Sequence, residues 1–215
     1  MHIESDNKWL CKPYSPITPL TQKGSVVFCI KIYREHPDFP NGGKFSQAIE
    51  NNLNVGESIL CEGPIGMINY QGHGKFTFKK QPFEHKKTKL GLIAGGTGIT
   101  PWFSIAQASL LGNDGLQIRL LYINKTKDDI LIKQEIDELA KKYPKNFKVF
   151  YSLTRHTSDQ GEWNGLTGRF TMDMLKQCDF PDNTKDDILI LNCGPPAFNE
   201  ANKKILSENG YKEGI

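Results

Sequence analysis

A glycine-rich turn between a strand-like run and a proline is the segment of this sequence that most directly suggests chemistry. Residues 91–101 read GLIAGGTGITP, with glycines at Gly95, Gly96 and Gly98. Where such a turn joins a buried strand to a helix, backbone N–H groups collect at the positive end of the helix dipole and form a ready anion site. The segment therefore predicts a phosphate-bearing ligand. The alternative is a glycine turn that serves only close packing of strand against helix.

The spacing in this turn differs from the two familiar phosphate loops. No Lys-Ser or Lys-Thr follows at the position that a P-loop requires. Pro101 stands where a G-x-G-x-x-G dinucleotide motif has its third glycine. Such a motif also places an acidic residue about 20 residues on, but the corresponding strand end, residues 123–126, reads INKT. The turn is thus not an ordinary Rossmann loop, and the motif alone does not name its ligand.

A second turn, in residues 191–198, reads LNCGPPAF and joins another apolar run to a helix. The carboxyl ends of parallel strands face the ligand crevice of an α/β sheet. Cys193 is therefore predicted at the same sheet edge as the glycine turn. The alternative for a lone cysteine is a small buried hydrophobic side chain.

Two segments of the first half offer weaker signals. CKPYSPIT, at 11–18, precedes a strand-like run that contains Lys31 and Tyr33. NGGKFSQ, at 41–47, opens a short helix with two glycines and so exposes backbone N–H donors. Taken singly, each is more typical of packing or of a simple turn.

The elements that must position these segments change in type near residues 80–89. The first half favours β structure, with strands at 24–33, 57–64 and 75–78 and a short helix at 46–53; the polar stretch 81–89 is expected to be a linker. The second half alternates, with strands at 89–95, 117–124, 146–154 and 186–194 and helices at 101–111, 128–143 and 196–209. Such alternation predicts a parallel sheet with crossover helices. Two domains follow, at 1–82 and 83–215.

Composition limits the class of protein. The net charge of +3 in 215 residues is too small to indicate nucleic acid binding; it would suit an acidic partner, but a mildly basic surface needs none. The five cysteines are an odd number without a CxxC pair, which favours reduced thiols over disulfides or zinc. The first residues, MHIESDNKWL, have no apolar stretch like that of a signal peptide, so secretion is not expected, and no run approaches the roughly 20 apolar residues that cross a bilayer. We therefore expect an intracellular protein without bound metal.

The motifs PYSP, IKIY, GGKFS, GGTGITP and CGPP, in this order, resemble those of flavin-dependent NAD(P)H reductases of the ferredoxin-reductase superfamily, specifically the cytochrome b5 reductase family. The likeness covers essentially the whole chain, and KTKDD and GEWNGLTG look closest to reductase modules fused to a cytochrome b5 domain. It implies an antiparallel FAD-binding β-barrel followed by an α/β nicotinamide-binding domain. It also implies hydride transfer from NADH or NADPH to FAD, then single-electron transfer to cytochrome b5 or a similar haem protein. The resemblance further implies a monomer that is cytoplasmic or peripheral to a cytoplasm-facing membrane, either the endoplasmic reticulum or the mitochondrial outer membrane.

The resemblance divides the expected site residues between the two cofactors. On the flavin side it implies contacts from Lys12, Pro13, Tyr14, Ser15, Cys29, Lys31, Tyr33, Gly43, Lys44, Phe45, Ser46 and Thr100. On the nucleotide side it implies contacts from Gly95, Gly96, Thr97, Gly98, Thr154, Arg155, Cys193, Gly194 and Pro195. Ser15, Lys31 and Cys193 are expected to act closest to the hydride, and the glycine turn would receive the nucleotide.

Three departures from the family pattern bear on function. Lys12 stands where an arginine pairs with the FAD pyrophosphate, so the bidentate fork is lost. Thr154, followed by Arg155 and His156, stands where an aspartate selects NADH, which predicts use of NADPH at least as good as in other members; alternatively both basic residues simply face solvent.

The third departure is that residues 2–16 align with the third barrel strand of the family, so we expect an incomplete barrel that lacks two strands. This keeps open a non-catalytic dinucleotide-binding fragment as an alternative function. An unrelated Rossmann dehydrogenase is a further alternative, but the sequence offers neither a Tyr-x-x-x-Lys motif nor a well-placed histidine for it.

Overall fold

The computed structural model describes residues 1–5, 7–37, 39–157, 159, 161–181 and 187–211, with the backbone alone at 81–83. Its strands are β1 (His2–Ser5), β2 (Lys8–Cys11), β3 (Ile68–Tyr70), β4 (Lys75–Phe78), β5 (Gln81–Lys86), β6 (Lys89–Gly95), β7 (Gln117–Asn124), β8 (Phe147–Leu153), β9 (Leu166–Thr167) and β10 (Ile188–Cys193). Its α-helices are α1 (Lys44–Asn52), α2 (Ile99–Leu111), α3 (Lys133–Lys142), α4 (Met172–Gln177) and α5 (Pro196–Glu208). Short 3-10 turns cover Gly96–Gly98 and Lys127–Asp129.

Two small antiparallel sheets make up the β structure described before residue 87. β1 pairs with β2, and β3, β4 and β5 form a three-stranded sheet. Helix α1 buries Phe45 and Ala48 against Ile3 of β1, which gives this part a small apolar core of its own. The arrangement agrees with the barrel-like first half that the sequence predicts.

Two of the predicted strands in this half are wrong. Residues 24–33 run extended but form a single bridge, between Phe28 and Pro16. Residues 57–64 likewise form one bridge, between Leu60 and His2. A strand requires a neighbour as well as a suitable composition, and Val26 in the first segment keeps 61% of its surface exposed.

The predicted linker at 81–89 is also wrong, because most of it forms β5. This strand lies at the edge of its sheet, where a proline such as Pro82 is tolerated. Its neighbour β4 places Phe76 and Phe78 in the same buried cluster as Trp102 of α2. The small sheet therefore packs against the second half of the chain.

The second half confirms the predicted parallel sheet. Its strand order is β10-β6-β7-β8-β9, with every pair parallel. Leu92 of β6 joins the cluster that contains α2 and α3, whereas Ile93 joins the cluster that contains α4 and α5. The sheet is therefore covered on both faces, as apolar parallel strands require.

The predicted helix at 128–143 is interrupted. A 3-10 turn comes first, and Ile132 then adopts the left-handed conformation at φ 47° before α3 begins at Lys133. Among the described residues, no helix is both long enough and apolar enough to cross a bilayer.

The strand order sets the position of the ligand crevice. The chain moves from β6 outward through β7, β8 and β9, and then returns to the opposite side of β6 as β10. Ligands of open α/β sheets bind outside the carboxyl ends of the strands at such a switch point. Here it lies between the glycine turn that follows β6 and the turn that follows Cys193.

Candidate functional site

A cleft of about 720 Å³ opens at this sheet edge. One wall, which we call the front wall, is residues 31–36 together with Phe39. The opposite wall, called the sheet wall, consists of residues from the ends of β6, β7, β8 and β10: Gly95, Gly96, Ile123, Asn124, Lys125, Thr126, Asp129, Thr154, Arg155, Pro195 and Phe198. The two walls together carry four lysine or arginine side chains and two carboxylates, and this excess of positive charge favours an anionic ligand.

The two turns singled out in the sequence meet backbone to backbone at the switch point. A Cβ atom on Gly98 would lie 2.1 Å from the carbonyl oxygen of Cys193 and 2.8 Å from the nitrogen of Gly194. Glycine at position 98 is thus required for this approach. Gly96, which lines the cleft, has φ 54° and nothing within 4 Å of an added Cβ, so the place of a side chain there is open space.

The side chain of Tyr122, in β7, fixes the glycine turn by a hydrogen bond. Its hydroxyl donates to the carbonyl of Gly96 over 3.0 Å and accepts from the backbone N–H of Leu131 over 3.2 Å. Burial raises the pKa of Tyr122 far above the ordinary phenol value, so the hydroxyl keeps the proton that it donates. Sequence reasoning missed this residue, because an apolar strand gives no sign of which side chain reaches a neighbouring turn.

Asn124, the last residue of β7, carries an unpaired polar group. It is 5% exposed, and its side chain lies beside the Tyr122 hydroxyl. Neither its amide oxygen nor its nitrogen has a partner of ordinary hydrogen-bond geometry among the described residues. Buried polar groups are usually satisfied. This amide at the cleft is therefore suited to a ligand, and the sequence analysis did not find it.

Thr154 and Arg155 sit on the sheet wall next to this strand end. The backbone N–H of Thr154 donates to the carbonyl of Asn124 over 2.9 Å, and that of Arg155 donates to the carbonyl of Lys125 over 2.9 Å. These bonds hold the turns after β7 and β8 side by side. Lys125 and Arg155 therefore lie in adjacent turns, and both line the cleft.

Lys31 of the front wall contacts the sheet wall directly. Its Nζ lies 2.5 Å from Oδ1 of Asp129 and 5.8 Å from the centre of the Tyr33 ring. Asp129 also accepts from the backbone N–H and hydroxyl of Thr126, over 3.1 and 2.9 Å. Burial acts to raise the pKa of Asp129, but the hydrogen bonds from Lys31 and Thr126 outweigh it and hold that pKa below its usual value.

The ring pair of Tyr14 and Phe45, together with Ser46, packs near the front wall at Tyr33. The Tyr14 and Phe45 rings lie 5.5 Å apart, and burial together with nearby Tyr33 raises the pKa of Tyr14. Ser46 accepts from the backbone N–H of Tyr33 over 3.1 Å and donates to the carbonyl of Gly43 over 2.9 Å. The start of α1 is thereby attached to the front wall.

Both halves of the chain match known families. The oxidoreductase FAD-binding domain matches residues 1–70, and the oxidoreductase NAD-binding domain matches residues 92–204. The chain is 38% identical over 210 residues to NADH-cytochrome b5 reductase 2 of Xenopus laevis, covering 94% of this chain and 69% of that protein. The chain belongs to the NADH-cytochrome b5 reductase family. It is also 38% identical over 196 residues to the NADH nitrate reductase of Volvox carteri, covering 88% of this chain but 22% of that enzyme.

A solved member of this family has the same fold. The cytochrome b5 reductase domain of Ulva prolifera nitrate reductase superposes with a TM-score of 0.90 at 32% identity, covering 100% of this chain and 80% of that one. The chain thus spans about a fifth of a nitrate reductase and about two thirds of the reductase from Xenopus. The resemblance stated from the motifs is confirmed.

The residues that the family resemblance suggests fall into three groups in the structure: those that line the cleft, those that lie around it and those that lie outside it. Lys31, Tyr33, Gly95, Gly96, Thr154, Arg155 and Pro195 line the cleft. The second group lies around it: Tyr14, Gly43, Phe45 and Ser46 behind the front wall, and Thr97, Gly98, Thr100, Cys193 and Gly194 at the switch point. Lys12, Pro13 and Lys44 are exposed and Ser15 and Cys29 half-buried, all outside the lining. Burial raises the thiol pKa of Cys29 and of Cys193.

Proposed function

We propose that this chain is an FAD-dependent oxidoreductase that takes hydride from NADH or NADPH and passes single electrons to cytochrome b5 or a similar haem protein. One observation carries the proposal: the glycine turn and the cysteine turn meet at the switch point and open into a cleft with a second wall from the FAD-binding half. A reaction between two cofactors needs such a pair of walls. The NADH-dependent relatives described above support the same direction of electron flow.

The residues of the sheet wall fit a dinucleotide. Gly96 has open space on the side where a Cβ atom would lie, and the amide of Asn124 makes no hydrogen bond of ordinary geometry among the described residues, so both positions suit contact with a ligand in the cleft. We propose that Gly95, Gly96, Thr97, Gly98, Thr154, Arg155, Gly194 and Pro195 bind the nucleotide, and that Asn124 adds a hydrogen bond to it. We propose that FAD is held from the FAD-binding half by Lys12, Pro13, Tyr14, Ser15, Cys29, Lys31, Tyr33, Gly43, Lys44, Phe45 and Ser46, and from the start of α2 by Thr100.

FAD supplies, when bound, the ability to accept a hydride and to release electrons one at a time. The task of the protein is to orient the two cofactors and to exclude water from the cleft. Tyr122 fixes the carbonyl of Gly96 and with it the turn that receives the nucleotide. Phe39, Ile123 and Phe198 give the cleft an apolar lining that limits water. We propose that Cys193, whose thiol is kept protonated by burial, acts with Lys31 of the cleft lining and with Ser15, which lies outside that lining.

We further propose that NADPH is accepted at least as well as in other family members. Thr154 offers a hydroxyl where a carboxylate would repel a 2′-phosphate, and Lys125 and Arg155, which lie in adjacent turns, both line the cleft. A charged hydrogen bond is worth about 1.5–3 kcal/mol, which corresponds to a tenfold or larger change in preference.

Three coarser expectations complete the proposal. We place the domain boundary near residue 82, between the two matched segments. We propose that the chain acts as a monomer in a reducing, intracellular compartment, in the cytoplasm or at a cytoplasm-facing membrane of the endoplasmic reticulum or mitochondrion. Five free cysteines support that compartment.

The visible absorption spectrum of the purified chain tests the proposed function. We expect added FAD to be retained with the band shape of a protein-bound flavin, and to bleach anaerobically with NADH and with NADPH. Titration with oxidised cytochrome b5 should then restore the flavin bands as the haem is reduced. A chain that retains no FAD, or whose bound FAD neither nucleotide bleaches, refutes the proposal.

A further inference from the structure

The ion pair between Lys31 and Asp129 joins residues 98 positions apart and crosses the cleft from the front wall to the sheet wall. The two side chains are 28% and 25% exposed, so each is shielded from most of the solvent that weakens surface pairs. An ion pair in this setting can restrain the two walls that carry it.

Both ends of the pair are attached to fixed parts of the fold. Asp129 is bound twice by Thr126 within the 3-10 turn that follows β7. On the other side, Tyr33 lies beneath the Lys31 ammonium, and its backbone carbonyl accepts from Gly43 over 2.7 Å. The pair therefore links the start of α1 to the end of the central strand of the sheet.

We propose that Asp129 is a positioning residue that holds Lys31 and thereby sets the distance between the front wall and the sheet wall. The inference rests on the proposed function, since in that function the two walls hold the two cofactors that exchange a hydride. A displacement of about 1 Å between reacting groups costs on the order of 10²-fold in rate. A single contact between the walls can thus control the rate through Asp129, which is not among the residues proposed to hold either cofactor.

The chain offers a matched control in the adjacent residue. Asp128 is exposed and has the same charge, but the ion pair to the front wall is made by Asp129. Asp129→Asn and Asp128→Asn therefore change net charge equally, one position apart. Any general electrostatic effect on an anionic nucleotide should be similar in both variants, whereas loss of the contact occurs in the first alone.

The first measurement needs no cofactor. Lysines are acetylated with a limiting amount of reagent, and Lys31 is compared by mass spectrometry with exposed Lys80. We expect Asp129→Asn to raise the reactivity of Lys31 relative to Lys80 on the order of fivefold, and Asp128→Asn to leave it unchanged. Equal Lys31 reactivity in wild type and both variants overturns the proposal.

The second measurement is anaerobic flavin reduction, with the nucleotide dissociation constant obtained from the same titration. We expect Asp129→Asn to slow flavin reduction on the order of 10²-fold while the nucleotide dissociation constant changes little. The double variant Lys31→Met with Asp129→Asn should reduce flavin no more slowly than either single variant. Additive effects, or equal effects of the two aspartate variants, overturn the proposal. If Asp129→Asn does not fold, Thr126→Val, which removes one bond to Asp129, should raise Lys31 reactivity by a smaller factor; no rise overturns it. Wild-type protein without flavin reduction counts against the proposed function, and acetylation then decides the role of Asp129.

Discussion

Substitution of Gly98 by alanine tests whether the two turns at the switch point must touch. The backbone at Gly98 has φ −63° and ψ −4°, which alanine adopts without strain. The added Cβ, however, would lie 2.1 Å from the Cys193 carbonyl oxygen, whereas such contacts essentially never fall below 3.0 Å. The two turns must therefore separate by at least about 0.9 Å, and both contacting groups are backbone.

The size of the effect follows from that displacement. Overpacking of this kind costs about 1–3 kcal/mol of stability, and each kcal/mol lowers the Tm of a chain of this size by about 2–4 °C. Because the turns on both sides of the switch point move, we expect nucleotide-dependent flavin reduction to fall on the order of 10²-fold. Calorimetry measures the first effect, and anaerobic stopped-flow absorbance the second.

Gly115→Ala serves as the control in the same half of the chain. Gly115 is exposed, has φ 81°, and an added Cβ would have nothing within 4 Å. Alanine there costs about 1–2 kcal/mol through its left-handed backbone, without moving the cleft. We expect a similar loss of Tm but normal flavin reduction. A Gly98→Ala variant that reduces flavin as fast as Gly115→Ala would refute the requirement for contact between the turns.

Three further predictions concern specificity, reactivity and pH. Thr154→Asp should lower the NADPH-to-NADH ratio of kcat/KM about tenfold or more, through repulsion of the 2′-phosphate; an unchanged ratio in steady-state assays contradicts the proposed cofactor preference. Because burial raises the thiol pKa of half-buried Cys193, iodoacetamide at pH 8 should label Cys193 more slowly than exposed Cys11. Bound nucleotide should slow the labelling of Cys193 further. Equal labelling rates of the two cysteines by mass spectrometry contradict the proposed position of Cys193 beside the nucleotide. Burial, aided by the hydrogen bond to Asp114, raises the pKa of Tyr70 from 10.0 to about 12, so its contribution to stability is complete below pH 10 and is lost as pH rises through about 12. Chemical denaturation should show that loss in wild type relative to Tyr70→Phe, and parallel curves for the two proteins would be the contrary result.

The parallel sheet could be predicted because its strands are buried on both faces and so appear as continuous apolar runs with glycine or proline at their ends. Residues 89–95 and 117–124 are examples, and both form strands at the predicted positions. Residues 24–33 have an equally suitable composition, yet Val26 and Val27 are exposed and the segment lacks a paired ladder in the described structure. Local composition therefore predicts a strand well where two buried faces demand it, and poorly where pairing depends on distant segments.

The predicted helix at 128–143 is interrupted by two features, of which the sequence indicates only the first. Thr126 and Asp129 form a capping box, whose spacing of Thr-x-x-acid marks a helix start before the predicted one. The left-handed conformation of Ile132 has no comparable signal, because β-branched residues disfavour positive φ. Such a conformation is imposed by the surrounding contacts, which the local sequence does not contain.

The position of the site could be inferred from the ends of strands, but the way in which it is held together could not. Gly98 lies in the turn after β6 and Cys193 is the last residue of β10, and the strand order brings their backbones into contact. Asn124 also ends a strand, but asparagine there is read as an ordinary turn residue, and only the fold reveals that its amide is buried beside the cleft. Lys31 and Asp129 are 98 positions apart, with opposite charges that the chain carries in many other places. Contacts that fix one half of this protein against the other join residues that are distant in sequence and of common types. A motif search therefore passes over the residues that are most informative about cofactor alignment.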